Sequence, residues 1–103
     1  MTSKIYAIDF DGVLCKCAYP CIGKPKKFNI WRVKRLKKKG HLTILWTCRM
    51  GRYLDEALFW CKEQGLRFDA VNDNVWQRTL LYGNNSRKVS ADVYIDDKAK
   101  RWS

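Results

Sequence analysis

The most constraining feature of the chain is the stretch from Lys4 to Leu14, KIYAIDFDGVL. A short apolar run, Ile5, Tyr6, Ala7 and Ile8, leads into Asp9, Phe10, Asp11 and Gly12. A run of that length favours a buried strand over a helix. Side chains two apart on an extended backbone share a face, so Asp9 and Asp11 are expected to project to one side. Gly12 adopts backbone conformations that other residues resist and lets the chain leave the strand. The expectation is two carboxylates at the carboxyl end of a buried strand, where open α/β sheets bind ligands. Carboxylates this close stay ionised together only around a cation, and hard oxygen ligands suit Mg²⁺. One of them can then act as a nucleophile and the other as an acid/base, since an aspartate nucleophile gives an aspartyl-phosphate.

The 103 residues allow one domain, 1–103, with a small core. A hydrophobic fraction of 47% with five Trp and five Tyr argues for a folded chain rather than a disordered one. No apolar run approaches the ~20 residues of a membrane span. The N-terminus lacks the layout of a signal peptide, so a cytoplasmic location is expected. An odd count of five cysteines argues against a disulfide framework. Cys15, Cys17 and Cys21 cluster, but a fourth zinc ligand is not evident and the only histidine is His41, so reduced thiols are expected. The net charge of +11 favours polyanionic partners: nucleic acid, nucleotides or phosphorylated substrates.

After Val13 the segment LCKCAYPCIGKPKKF holds both prolines and reads as an irregular loop or short hairpin overhanging the carboxyl end of the first strand. Lys24, Lys26 and Lys27 are placed to line its rim. Asn29 to Lys39 reads as a helix, with Asn29 as N-cap, an apolar stripe of Ile30, Val33 and Leu36, and basic residues in the last turns. Leu42 to Trp46 reads as a second buried strand ending at Thr47, with Arg49 and Gly51 in the loop beyond. A hydroxyl there, ahead of a helix N-terminus, suits a phosphate oxygen, and Arg49 is positioned to clamp a second substrate group. Arg52 to Gln64 reads as a helix, Leu66 to Val71 as a third strand, and Val93 to Ile95 as a fourth that delivers Asp96 and Asp97. Asn72, Asp73 and Asn74 receive no role. Two strands ending in acids, side by side, make a hard-cation site.

IDFDGVL resembles motif I of the haloacid dehalogenase (HAD) superfamily of phosphohydrolases, and the resemblance extends from Ile5 to Asp97. It implies a Rossmann-like α/β fold of about four parallel strands in the order 4-1-2-3, with helices on both faces. In that family the first Asp of motif I is the nucleophile and the second the general acid/base; here these are Asp9 and Asp11. Motif II corresponds to Thr47, motif III to Lys88 with Arg87 as rival, and the acidic pair of motif IV to Asp96 and Asp97. The implied metal is Mg²⁺, held by Asp9, Asp11, Asp96 and Asp97. Only seven residues separate Lys88 from Asp96, tighter than the family usually shows. Asp11 and Thr47 are 36 apart and Thr47 and Lys88 41 apart, too few for a cap domain in either gap. The expectation is a capless Mg²⁺-dependent phosphomonoesterase with an open site for a large anionic substrate, in which a partner subunit can help exclude water. Two alternatives stay open: a metal-dependent nuclease, and a non-catalytic polyanion-binding module on the same fold.

Overall fold

The computed structural model describes residues 3–72 and 91–96. Lys88, Arg87 and Asp97 lie outside them. The described elements are β1 (Ile5–Asp9), β2 (Cys15–Ala18), β3 (Cys21–Pro25), α1 (Lys27–Lys38), β4 (Leu42–Trp46), α2 (Gly51–Glu63), β5 (Ala70–Val71) and β6 (Val93–Ile95).

Four strands form one parallel sheet in the order β5-β4-β1-β6. β1 is central, and Ile5, Tyr6, Ala7 and Ile8 are all buried. A strand covered on both faces needs apolar residues at odd and even positions alike, which is why this run does not alternate. Ile8 pairs with Leu45 on one side and with Ile95 on the other, and all three are almost wholly inaccessible.

Each connection, β1 to β4 through α1 and β4 to β5 through α2, steps across the sheet in the same direction. Right-handed crossovers stepping one way put their helices on one face. Accordingly Ile30 and Val33 of α1 and Ala57 and Cys61 of α2 share a core with Tyr6, Ile8, Leu45 and Ile95. The other face carries a smaller cluster of Ile5, Ala7 and Ile44. Of the helices expected on both faces, the two described ones therefore lie on the same face, and the connection from β5 to β6 falls outside the described residues.

Two aspartates fasten the edge strands. The Ile5 amide donates to the Asp92 carboxylate at 2.8 Å while the Asp92 amide donates to the Ile5 carbonyl at 2.8 Å. Asp69 does the same for β4: its amide donates to the Thr43 carbonyl and its carboxylate accepts from the Thr43 amide at 2.7 Å. These bonds shorten the third strand. Leu66 to Asp69 is not strand, and only Ala70 and Val71 complete the ladder beside β4.

The segment between β1 and α1 is an antiparallel hairpin, β2 against β3, with a bulge between Cys15 and Cys17. Gly12 turns the chain into it at a φ of 91°, a conformation that a Cβ opposes. Asn29 is not the helix cap that the sequence indicated. The helix starts earlier, at Lys27, and the Asn29 side-chain NH2 donates to the Val13 carbonyl at 2.8 Å. That bond ties the first turn of α1 to the loop after β1. No helix among the described residues is long and apolar enough to cross a membrane.

Candidate active site

The carboxyl ends of β6, β1 and β4 form a continuous rim. Because Ile8 is in register with Ile95, the next residues on the two strands, Asp9 and Asp96, end neighbouring parallel strands at the same level. Strand spacing sets their backbones about 5 Å apart. One oxygen of Asp9 accepts from the Phe10 amide at 2.8 Å, which fixes the carboxylate at the strand end. On the other side Asp9 is in register with Trp46, so Thr47 follows one residue beyond the same level on β4.

Thr47 is almost fully buried, and both its groups are engaged. Its amide donates to the Asn72 side-chain oxygen at 2.7 Å, and its hydroxyl oxygen accepts from the Arg49 amide at 3.1 Å. A hydroxyl has one proton and two lone pairs, so accepting from Arg49 leaves the Thr47 proton as a donor. Asn72 holds this arrangement from the end of β5 with a φ of 52°, where asparagine is among the few non-glycine residues tolerated. Its own amide donates to the Leu45 carbonyl at 2.8 Å. The sequence reading gave Asn72 no role. The available signal was its place at the tip of a strand beside the one ending in Thr47.

Arg49 behaves differently from its expected part as a substrate clamp. It is 1% exposed, and its guanidinium grips Asp11 with a two-point fork, at 2.9 Å and 2.8 Å. Two of its other N–H groups donate to the carbonyls of Pro20 at 3.1 Å and Cys21 at 2.9 Å, at the tip of the β2–β3 hairpin. The rings of Phe10 and Tyr19 sit 5.1 Å from its carbon centre. The hydrogen bonds to Asp11 hold the guanidinium above its ordinary pKa in spite of burial, which opposes them. The physical reason is position: Asp11 and Arg49 follow Asp9 and Trp46, a registered pair, so opposite charges meet in adjacent loops. Asp9 and Asp11 therefore do not present two equivalent carboxylates to one point.

Lys26 also turns inward, its ammonium donating to the Gly12 carbonyl at 2.6 Å, while Lys24 and Lys27 are exposed on the hairpin side. Cys15 is buried and Cys17 and Cys21 are exposed on the hairpin, all as free thiols.

Among the described residues no group of three or more His, Cys, Asp or Glu is assembled as a metal centre. The donor chemistry of the rim nonetheless fits a hard cation, because Asp9 and Asp96 are carboxylates on adjacent strand ends.

Comparisons with protein-family profiles and with curated proteins find no match. Among solved structures, a conserved protein from Bacteroides thetaiotaomicron superposes with a TM-score of 0.83 at 38% identity, over 94% of this chain and 78% of that one. The chain belongs to that protein's family. Identity at this level over nearly the whole chain carries the fold with it. The chemistry of the site is read from the residues of the rim.

Proposed function

We propose that the chain is a capless, Mg²⁺-dependent phosphomonoester hydrolase of the haloacid dehalogenase type, working through an aspartyl-phosphate on a doubly wound, Rossmann-like sheet. The observation that carries this reading is the alignment of Asp9 with Asp96 at the strand ends, with Thr47 beyond the same level on β4. Asp9, Asp96 and the main-chain carbonyl of Asp11 would hold Mg²⁺, which supplies charge neutralisation for the phosphoryl group. Asp97 and Lys88 complete the set in this reading.

The Asp9 carboxylate attacks phosphorus in line with the leaving oxygen, forming the Asp9–phosphorus bond as the ester P–O bond breaks. Asp11 gives its proton to the leaving oxygen, then takes one from the water that cleaves the aspartyl-phosphate. The Thr47 hydroxyl donates to an equatorial phosphoryl oxygen, where charge develops. The fork from Arg49 engages both Asp11 oxygens and so sets the orientation of that carboxyl group. Arg49 also holds the Pro20 and Cys21 carbonyls, which ties the hairpin tip to the same point. Arg49 is thus a positioning residue for Asp11.

The test is hydrolysis of an aryl phosphate and of 3′- and 5′-phosphorylated oligonucleotides, with and without Mg²⁺, by the native chain and Asp9→Asn. Metal-dependent release of phosphate that Asp9→Asn abolishes is expected, with a trapped phospho-enzyme in the native chain. Turnover that persists in Asp9→Asn refutes the nucleophile and with it the mechanism.

A further inference from the structure

The outer face of α1 carries an arrangement that the rim does not use. From Gly12 to Leu54 the sequence has no acidic residue, although this stretch holds more than half of the chain's 21 Lys and Arg. α1 lies within it. Ile30 and Val33 turn inward, and the side facing away presents Phe28, Trp31, Arg32, Arg35 and Lys39 at helical spacing. Phe28 is 64% exposed and Trp31 52% exposed. Large aromatics on a solvent-exposed face forgo much of the free energy that burial would give, so a contiguous pair calls for an explanation.

Their geometry supplies one. The two rings are nearly parallel, 23° apart with centroids separated by 6.0 Å. The Arg32 guanidinium lies over Phe28 at 5.5 Å and that of Arg35 over Trp31 at 5.4 Å. The two rings therefore stand side by side, each with a guanidinium over it, Arg32 on Phe28 and Arg35 on Trp31. A groove of about 250 Å³ runs beside them and ends at Lys39 and His41. The Nδ1 of His41 accepts from the Lys4 amide at 3.0 Å, which turns Nε2 outward as the other polar atom of the ring. The stripe starts within one turn of Lys26, whose ammonium touches the loop after β1.

We propose that this stripe binds single-stranded nucleic acid, with bases stacked on Phe28 and Trp31 and phosphates on Arg32, Arg35 and Lys39. Stacking on aromatic faces joined to a basic track is the chemistry by which single strands are held without sequence choice. An acidic peptide would use the cations and leave the rings idle. A duplex would use the cations and hide its base faces. The proposal does not depend on the hydrolase reading.

The experiment is fluorescence anisotropy of a labelled twelve-residue oligothymidylate, titrated with the native chain, with Phe28→Ala/Trp31→Ala, with Arg32→Gln/Arg35→Gln, and with Lys62→Gln/Arg67→Gln on another face. The last two lose the same charge. All six side chains lie outside the buried core, and circular dichroism reports that the variants fold. The aromatic double variant is expected to lose about tenfold or more in affinity, the order expected for losing stacked bases. The Arg32/Arg35 variant is expected to flatten the salt dependence, by roughly 0.7 in log–log slope per lost phosphate contact on a single strand, and the control pair to change little. Equal losses in the two charge variants, or equal binding of a sulfated polysaccharide that ignores the aromatic variant, would overturn the proposal. So would absence of oligonucleotide binding, including the case in which Trp31→Ala abolishes a dimer and thereby assigns the stripe to a second copy.

Discussion

Replacing Arg49 tests whether the fork to Asp11 organises the rim or merely decorates it. In Arg49→Met the aliphatic stem is retained and four side-chain hydrogen bonds are lost, two to Asp11 and one each to Pro20 and Cys21. Breaking a fully buried ion pair by removing one partner costs about 3–5 kcal/mol. The cost here is smaller, because the Asp11 side chain is 20% exposed and the hairpin tip reaches water. A loss of about 2–4 kcal/mol is expected, out of the ~5–15 kcal/mol typical of a domain. At 4–8 °C per kcal/mol for a domain of this size, Tm falls by roughly 10–30 °C. Arg49→Lys keeps the charge but not the planar fork, and is expected to recover less than half of the loss. Urea unfolding followed by tryptophan fluorescence measures these values. A double-mutant cycle with Asp11→Asn isolates the pair, with a coupling of about 1–3 kcal/mol expected. If Arg49→Met lies within ~0.5 kcal/mol of the native chain, the range of an ordinary surface substitution, the fork carries no stability and the reasoning fails.

Three further outcomes follow from the rim and the core. Asn72→Ala removes the acceptor for the buried Thr47 amide and leaves at a φ of 52° a residue without asparagine's tolerance of that region, so it should cost about 2–4 kcal/mol. Asn72→Gly relieves the backbone part and should recover about 1 kcal/mol, whereas equal stability of the two variants in urea melts would show that φ is not strained. In native buffer at pH 8, iodoacetamide should label Cys17, Cys21 and Cys48 but spare the buried Cys15 and Cys61, read by intact mass. Burial pushes the Cys61 thiol up to about 12 from 9.0, so the folded state holds its proton longer than the unfolded chain. Stability should therefore be unaffected by this group below pH 9 and decline as pH rises from there toward 12; a flat profile between those values, or prompt labelling of Cys61, contradicts its burial.

The parts of the molecule that were legible in the sequence are those governed by one local signal. The apolar run before Asp9 reads as a central strand because Ile5 to Ile8 are all apolar, and β4 and β6 were legible as short runs rich in branched and aromatic residues. Gly12 marked the turn because only its backbone relaxes there. What the sequence hid are contacts between elements far apart in the chain. Asn29 looks like a cap, since asparagine before an apolar stripe ordinarily is one; the helix instead starts at Lys27, and the Asn29 side-chain N–H donates to the Val13 carbonyl left open by the turn after β1. Leu66 to Asp69 has the composition of a strand, but Asp69 takes the amide and carbonyl of Thr43 for itself and delays pairing until Ala70. Arg49 looked like a clamp for an external anion because its internal one, Asp11, stands 38 residues earlier. The same register that sets Asp9 opposite Trp46 brings these two charges together, so the fork is a consequence of sheet geometry that no local window contains. That dependence gives the rim its logic. Asp9 and Asp96 are placed by strand register, with the Phe10 amide on the Asp9 carboxylate, whereas Asp11 is placed by Arg49, which also holds the hairpin tip. In the hydrolase proposed above, the strand-end carboxylates would serve the fixed part of the chemistry, the metal and the bond to phosphorus, and Asp11, held from the hairpin side, would give and take the proton.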